Sequence, residues 1–122
     1  MSDAKHPVIA PGDRILTLIN TFTCADARQG ELVAALEKSI RDTFSLVDGF
    51  ISSSVHASLD RTRVIHYVQW RSVQDFDQAE LHPEVREHLA TIMTIAESAD
   101  PRLFHVTSVH SAGTEGPDTG RP

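Results

Sequence analysis

The alternation of apolar and polar residues is clearest at residues 62–71, which contain no Gly or Pro and are rich in β-branched and aromatic side chains. Such a stretch predicts a β-strand, whose side chains point alternately to opposite faces of a sheet. One face carries Val64, His66, Val68 and Trp70, and the other carries Arg63, Ile65, Tyr67, Gln69 and Arg71. Because neither face is purely polar, we expect both to be covered in the folded protein.

The same period predicts strands at residues 14–23 and 103–110. In the first of them, Asn20 is the one polar residue on a face that is otherwise made of Leu16, Leu18 and Phe22. Two interpretations of Asn20 stay open at this point. It is either a strand-end residue that bonds nearby backbone or a polar residue in a pocket.

A further strand at residues 50–59 forms a hairpin with 62–71 through a tight turn at 60–61. A suitable loop length would place His56 opposite His66. Period two assigns one face to Phe50, Ser52, Ser54 and His56, and the other to Ile51, Ser53, Val55 and Ala57.

Helical spacing of apolar residues predicts a first helix over residues 26–47, with Asp26 and Gln29 as a capping box and Gly49 as its left-handed stop. Its buried stripe is Val33, Leu36, Ile40, Phe44 and Val47.

Two more helices are predicted, a short one over residues 72–81 and a longer one over 83–98 that starts with a proline. A turn at residues 100–101 then leads into the last strand.

The element order is strand, helix, strand, strand, helical region, strand, which predicts a ferredoxin-like α+β sandwich with its helices on one face of the sheet. The other face would carry Ile15, Ile19, Ile65 and Tyr67 with nothing left in the chain to cover them. Because exposure would leave a large apolar patch, we predict a homodimer that packs sheet against sheet.

The length of 122 residues suits one domain at 14–111, between a flexible arm at 1–13 and a disordered tail at 112–122. The formal charge of -6 argues against nucleic acid and anionic membrane surfaces as partners. No apolar run is long enough to span a bilayer, and the single cysteine, Cys24, suits the cytoplasm.

No phosphate-binding loop, dinucleotide fingerprint, zinc-protease motif or nucleophile elbow is present in the sequence. His56 and His66 could supply two metal ligands, but no acidic partner is placed beside them, so we expect no metal site.

The face that carries Trp70, His66 and Asn20 remains the best candidate for chemistry. Trp70 and His66 could be ordinary core residues, but an apolar wall with a titratable group and an amide is typical of a small-molecule pocket. We expect Phe22, on the Asn20 face, and His56 to contact the ligand as well.

Residues 47–72 contain Asp-Gly-Phe, His-Ala-Ser-Leu-Asp-Arg-Thr and His-Tyr-Val-Gln-Trp, and residues 100–104 read Asp-Pro-Arg-Leu-Phe. These motifs resemble those of the antibiotic biosynthesis monooxygenase family, whose members typically show Pro-Gly-Phe, His-x-Ser-x-Asp-Gly-Thr and Asn-Tyr-x-Gln-Trp. The resemblance covers roughly residues 14–110.

This resemblance implies a dimeric α+β barrel that oxidises anthrone-type polyketides to quinones with molecular oxygen and without a cofactor. Trp70 matches the family Trp, and His66 stands at the family Asn. Phe76 stands where anthrone oxidisers have a Tyr, and Arg86 matches a helix Arg. In this hypothesis His66 takes a proton from the substrate, and Asn20 or Arg86 stabilises the resulting anion.

Three alternatives stay open. A polyketide cyclase would use the same groups without oxygen. A small-ligand-binding dimer would have no reaction. A haem-degrading enzyme of similar fold would use an Asn near Asn20 and a His near His88.

Overall fold

The computed structural model describes residues 12–113. Four strands and three α-helices follow one another in the order β1, α1, β2, β3, α2, α3, β4. Their bounds are Gly12–Thr23 (β1), Gln29–Asp42 (α1), Phe50–Ala57 (β2), Arg63–Trp70 (β3), Val73–Leu81 (α2), Pro83–Ile92 (α3) and Ser98–Val106 (β4). Short 3₁₀ turns at Asp26–Arg28 and Phe44–Leu46 flank α1.

The strands form one antiparallel sheet in the order β2-β3-β1-β4. The predicted ferredoxin-like α+β fold is therefore confirmed. The helices cover the face of Trp70 because their apolar stripes must be buried. Phe76 of α2 packs with Trp70, and Leu36 of α1 packs with Phe22 and Val64.

The core consists of two apolar clusters that lie at opposite ends of the covered sheet face. One cluster joins Phe22 and Val64 to α1 and to the region after α3, and the other joins Leu16 and Trp70 to α2. The cross-strand pair of Asn20 and His66 lies between these two ends in the β1–β3 register. The gap between the two clusters is where a cavity opens.

A bulge in β2 overturns the predicted faces of that strand. Phe50 pairs with Trp70, but the register then shifts, and Ser53 rather than Ser52 continues on the helix side, opposite Val68. An extra residue in one strand reverses the alternation that follows it.

The last strand begins earlier than predicted. β4 starts at Ser98, so Asp100 and Pro101 lie within the strand and α3 ends at Ile92. A proline is tolerated there because β4 is an edge strand that pairs only with β1.

The predicted capping box at the start of the first helix is wrong. Asp26 lies in a 3₁₀ turn, and no side-chain cap bond is formed at that turn or at the start of α1. The Gln29 side chain instead donates to the carbonyls of Ser58 and Arg63, both at 2.9 Å, and so ties α1 to the β2–β3 hairpin. Gly49, by contrast, has the predicted left-handed conformation, with φ of 92°.

The sheet face opposite the helices is covered in part within one chain. Thr17 and Gln69 are fully buried there, and Gln69 Nε2 donates to Thr17 Oγ1 at 3.1 Å. The expectation that nothing in the chain covers this face is therefore wrong at that end. The four apolar residues predicted on this face, Ile15, Ile19, Ile65 and Tyr67, are only half-buried.

The structure describes only a small part of the predicted arm and tail. Gly12 and Asp13 belong to β1 rather than to an arm, while residues 1–11 and 114–122 lie outside the described residues. Within residues 12–113, no helix is long and apolar enough to cross a membrane.

Candidate active site

The pairing of β1 with β3 brings together the three residues that the sequence marks for chemistry. Asn20 lies directly opposite His66, and Trp70 lies on the same face, opposite Leu16. Strand alternation fixes this arrangement, because residues two apart on one strand share a face and cross-strand partners share it too.

A cavity of about 150 Å³ lies between this sheet face and helices α2 and α3. Its walls are mostly apolar, as is usual for small-molecule sites. It is lined by Leu18, Asn20, Phe44, His66, Val68, Trp70, Phe76, Ala79, Glu80, Val85, Leu89 and Pro101.

Two polar atoms of this lining are buried without a hydrogen-bond partner: the Asn20 Oδ1 oxygen and the Trp70 Nε1 nitrogen. Buried polar groups are nearly always bonded, since an unpaired one costs about 1–3 kcal/mol. An unpaired acceptor and an unpaired donor on two residues that line one cavity indicate a place for a ligand that carries a complementary donor and acceptor.

The His66 imidazole is buried, with 5% of its surface exposed. Its Nε2 lies 2.8 Å from the Ser53 hydroxyl, and its ring is stacked on Phe44 with 6.0 Å between centroids. Burial lowers the pKa of His66 from 6.5 to about 4. The ring is therefore neutral near pH 7, and one of its two nitrogens carries a free lone pair.

The predicted site residues divide into two groups. Four of them line the cavity: Asn20, His66, Trp70 and Phe76. Phe22, His56 and Arg86 do not, so their predicted ligand contacts are not supported by the geometry.

Each of these three departures has a local cause. Phe22 is 1% exposed and packs in the other core cluster. The β2 bulge pairs His56 with Ile65, on the opposite face, so Val55 and not His56 lies across from His66. Arg86 is exposed and is not a lining residue, and its Nε donates to the Glu80 carbonyl at 2.9 Å.

Ser53, Phe44 and Glu80 are among the residues of the site that were not predicted. Ser53 reaches His66 only because of the bulge. Phe44 was predicted in the buried stripe of the first helix, but it lies in the 3₁₀ turn that follows α1. Glu80 reads as a solvent residue of α2, yet it is the one acidic side chain in the cavity lining.

His88, which the haem-degrading alternative would use, is not part of the cavity lining. Its Nδ1 lies 3.0 Å from the Ser39 hydroxyl, and its ring meets Phe44 edge-on. Within residues 12–113, no group of three or more His, Cys, Asp or Glu residues is placed to hold a metal ion.

Comparison with known proteins gives concordant results. Residues 15–91 match the antibiotic biosynthesis monooxygenase family. The chain is 30% identical over 110 residues to tetracenomycin-F1 monooxygenase of Streptomyces glaucescens, an alignment that covers 90% of this chain and 96% of the relative.

Solved structures agree on the fold. SnoaB, a cofactor-independent oxygenase from Streptomyces nogalater, aligns with a TM-score of 0.71 at 18% identity, over 79% of this chain and 96% of SnoaB. An anthrone oxidase-like protein aligns with a TM-score of 0.71 at 27% identity, over 80% of this chain and 41% of that protein.

Proposed function

The chain belongs to the antibiotic biosynthesis monooxygenase family, and we propose that it oxidises a hydroxylated, anthrone-type aromatic ketone to a quinone with molecular oxygen and no cofactor. Tetracenomycin-F1 monooxygenase, a relative at 30% identity, supports an aromatic polyketide as the substrate class. The anthrone oxidase-like structure supports the reaction type.

The observation that carries this proposal is the presence of two unpaired polar atoms, Asn20 Oδ1 and Trp70 Nε1, beside a neutral imidazole. A flat phenolic ketone that fills the cavity would present its oxygen to the Trp70 N–H and a hydroxyl to Asn20 Oδ1. Phe76 supplies an apolar wall, and exclusion of water would strengthen both hydrogen bonds.

In the proposed reaction His66 first removes a proton from the activated ring carbon of the substrate. The Trp70 N–H stabilises the negative charge that spreads onto the substrate oxygen. The anion passes one electron to O₂, and the resulting carbon radical and superoxide combine into a peroxide.

The peroxide takes a proton back from His66, and loss of the remaining C–H proton with cleavage of the O–O bond then gives the quinone carbonyl and water. One oxygen atom thus enters the product and the other leaves as water, so the substrate itself is the reductant. This is why the proposed reaction requires no metal, flavin or haem. SnoaB, a structure of the same fold, is described as cofactor-independent.

The test is oxygen uptake by metal-depleted, flavin-free protein supplied with a hydroxylated anthrone. We expect one O₂ consumed for each quinone formed, and unchanged rates after chelation. A ring-closed product formed without oxygen would contradict the proposal and favour the polyketide cyclase alternative. Tight binding with no product would favour a ligand-binding protein. A Soret shift on addition of haem would favour the haem-degrading alternative.

We also propose that the protein is a cytoplasmic homodimer that associates through the uncovered part of its sheet. The half-buried Ile19 and Tyr67 are cross-strand partners on that face, and the exposed Phe104 of β4 lies on the same side, opposite Thr17. An Ile19→Glu variant is expected to run as a monomer in light-scattering chromatography. The control is Val73→Glu, at an exposed residue of α2, and it is expected to remain a dimer. If Ile19→Glu is also a dimer, this interface is contradicted.

A further inference from the structure

We propose that Ser53 is a positioning residue, whose hydroxyl oxygen accepts a hydrogen bond from the Nε2–H of His66 and so leaves Nδ1 as the nitrogen that takes the substrate proton. This inference rests on the proposed role of His66 as a base. It adds a residue that neither the resemblance nor the comparisons assign.

The two ring nitrogens of His66 have different surroundings. Nε2 is occupied by the Ser53 hydroxyl at 2.8 Å. Nδ1 has no hydrogen-bond partner among residues 12–113. Because His66 lines the cavity, Nδ1 is the nitrogen open to a ligand.

The Ser53 contact is compatible with either tautomer of His66. A neutral imidazole carries one proton, so one nitrogen donates and the other accepts. If Ser53 accepts from Nε2–H, Nδ1 has a free lone pair and can act as a base. If Ser53 instead donates to Nε2, Nδ1 carries the proton and cannot remove one from the substrate. The two arrangements are therefore chemically distinct and measurable.

A bulge in β2 places Ser53 beside His66. The bulge between Phe50 and Ser52 shifts β2 by one residue and turns Ser53 to the His66 side of the sheet. Bulges often re-aim a side chain beside an active site. Phe44, stacked on the ring, restricts its rotation from the helix side.

The chain contains a matched control for this pair. The next residue, Ser54, makes the same kind of contact with His56, at 2.9 Å from hydroxyl to Nε2. That pair is exposed on the opposite face and does not line the cavity. Ser53→Ala and Ser54→Ala therefore remove equivalent hydrogen bonds, and only the first concerns the site.

The first experiment measures the tautomer directly. The full chain is labelled with ¹⁵N-histidine, the His66 signals are assigned by their loss in His66→Asn, and long-range ¹H–¹⁵N correlations report which ring nitrogen is protonated near pH 7. We expect protonated Nε2 in the wild type and in Ser54→Ala, and a mixture of tautomers in Ser53→Ala. Protonated Nδ1 in the wild type would overturn the inference.

The second experiment measures turnover with the hydroxylated anthrone. Loss of a partner that orients a metal-ligating histidine typically costs about 10–100-fold, and by analogy we expect a loss of that size in kcat for Ser53→Ala with little change in KM. Ser53→Thr, which keeps the hydroxyl, is expected to restore most of the rate. Equal rates for Ser53→Ala and Ser54→Ala would overturn the positioning role.

The two readouts separate this inference from the proposed function. The tautomer is observed without substrate, so a protein with protonated Nε2 and no oxygen uptake would refute the oxygenase proposal alone. An active oxygenase with protonated Nδ1 would refute the role of Ser53 alone.

Discussion

Burial of His66 should make the stability of the fold depend on pH in a defined window. The pKa of this imidazole falls from 6.5 to about 4 because burial removes water from its charged form. Between these two values the unfolded chain binds a proton that the folded chain rejects. The free energy of unfolding should therefore decrease as the pH falls through this window, and His66 should have no effect above it.

The size of the effect follows from the shift. One pKa unit corresponds to about 1.4 kcal/mol, so the complete difference is about 3 kcal/mol, and about 2 kcal/mol is already lost near pH 5. For a domain of this size, this is a large part of the total stability of about 5–15 kcal/mol.

The assay is urea unfolding at several pH values between about 5 and 8, for the wild type and for His66→Asn, which cannot titrate in this range. The difference between their unfolding free energies removes the contributions of all other groups. We expect this difference to shift by about 2 kcal/mol from pH 8 to pH 5, in favour of the variant at low pH.

His56→Asn is the control, because it makes the same substitution at an exposed histidine. Parallel pH profiles for the wild type and His66→Asn would refute the claim that His66 is held neutral by burial.

Three further predictions concern the site and its support. Gly49→Ala should destabilise the fold by at least about 2 kcal/mol in urea, because φ is 92° and a Cβ would overlap Asp75; Gly30→Ala, which meets nothing within 4 Å, should be neutral or stabilising, and equal effects would contradict this. Trp70→Phe keeps an aromatic wall but removes the N–H, so kcat/KM for oxygen uptake should fall about 100-fold; an unchanged value would remove that N–H from the mechanism. Glu80→Gln should improve binding of carboxylate-bearing substrate analogues a few-fold at low salt, by about 0.5 kcal/mol, without altering binding of neutral ones, and identical affinities in titration would contradict a role in selecting substrate charge.

The order of elements and the covered face of the sheet could be predicted from the sequence. Strand alternation places Trp70 and His66 together, and it places Asn20 with them once β1 and β3 pair. These relations depend only on local period and on antiparallel pairing, which the residue pattern expresses directly. The motif resemblance adds the family, which the comparisons confirm.

The features that were not predicted depend on contacts between distant residues. No glycine or proline lies within β2 to mark its bulge. The bulge turns His56, which was predicted opposite His66, to the other face and brings Ser53 into hydrogen-bond contact with His66. Gln29 fits a capping pattern but bonds hairpin carbonyls 29 and 34 residues away. Pro101 was predicted in a turn, but it lies within β4. A strand tolerates proline at a sheet edge, and the edge position of β4 follows only from the complete strand order.

The central claim, that His66 removes a proton from a substrate held in this cavity, can be tested before oxygen is involved. The protein is mixed with a hydroxylated anthrone without oxygen, and the visible absorption of the substrate anion is followed; oxygen is then admitted. We predict that the anion accumulates with the wild type, decays to quinone once oxygen is present, and does not form with folded His66→Ala. Equal formation of the anion and the quinone with both proteins would contradict the claim.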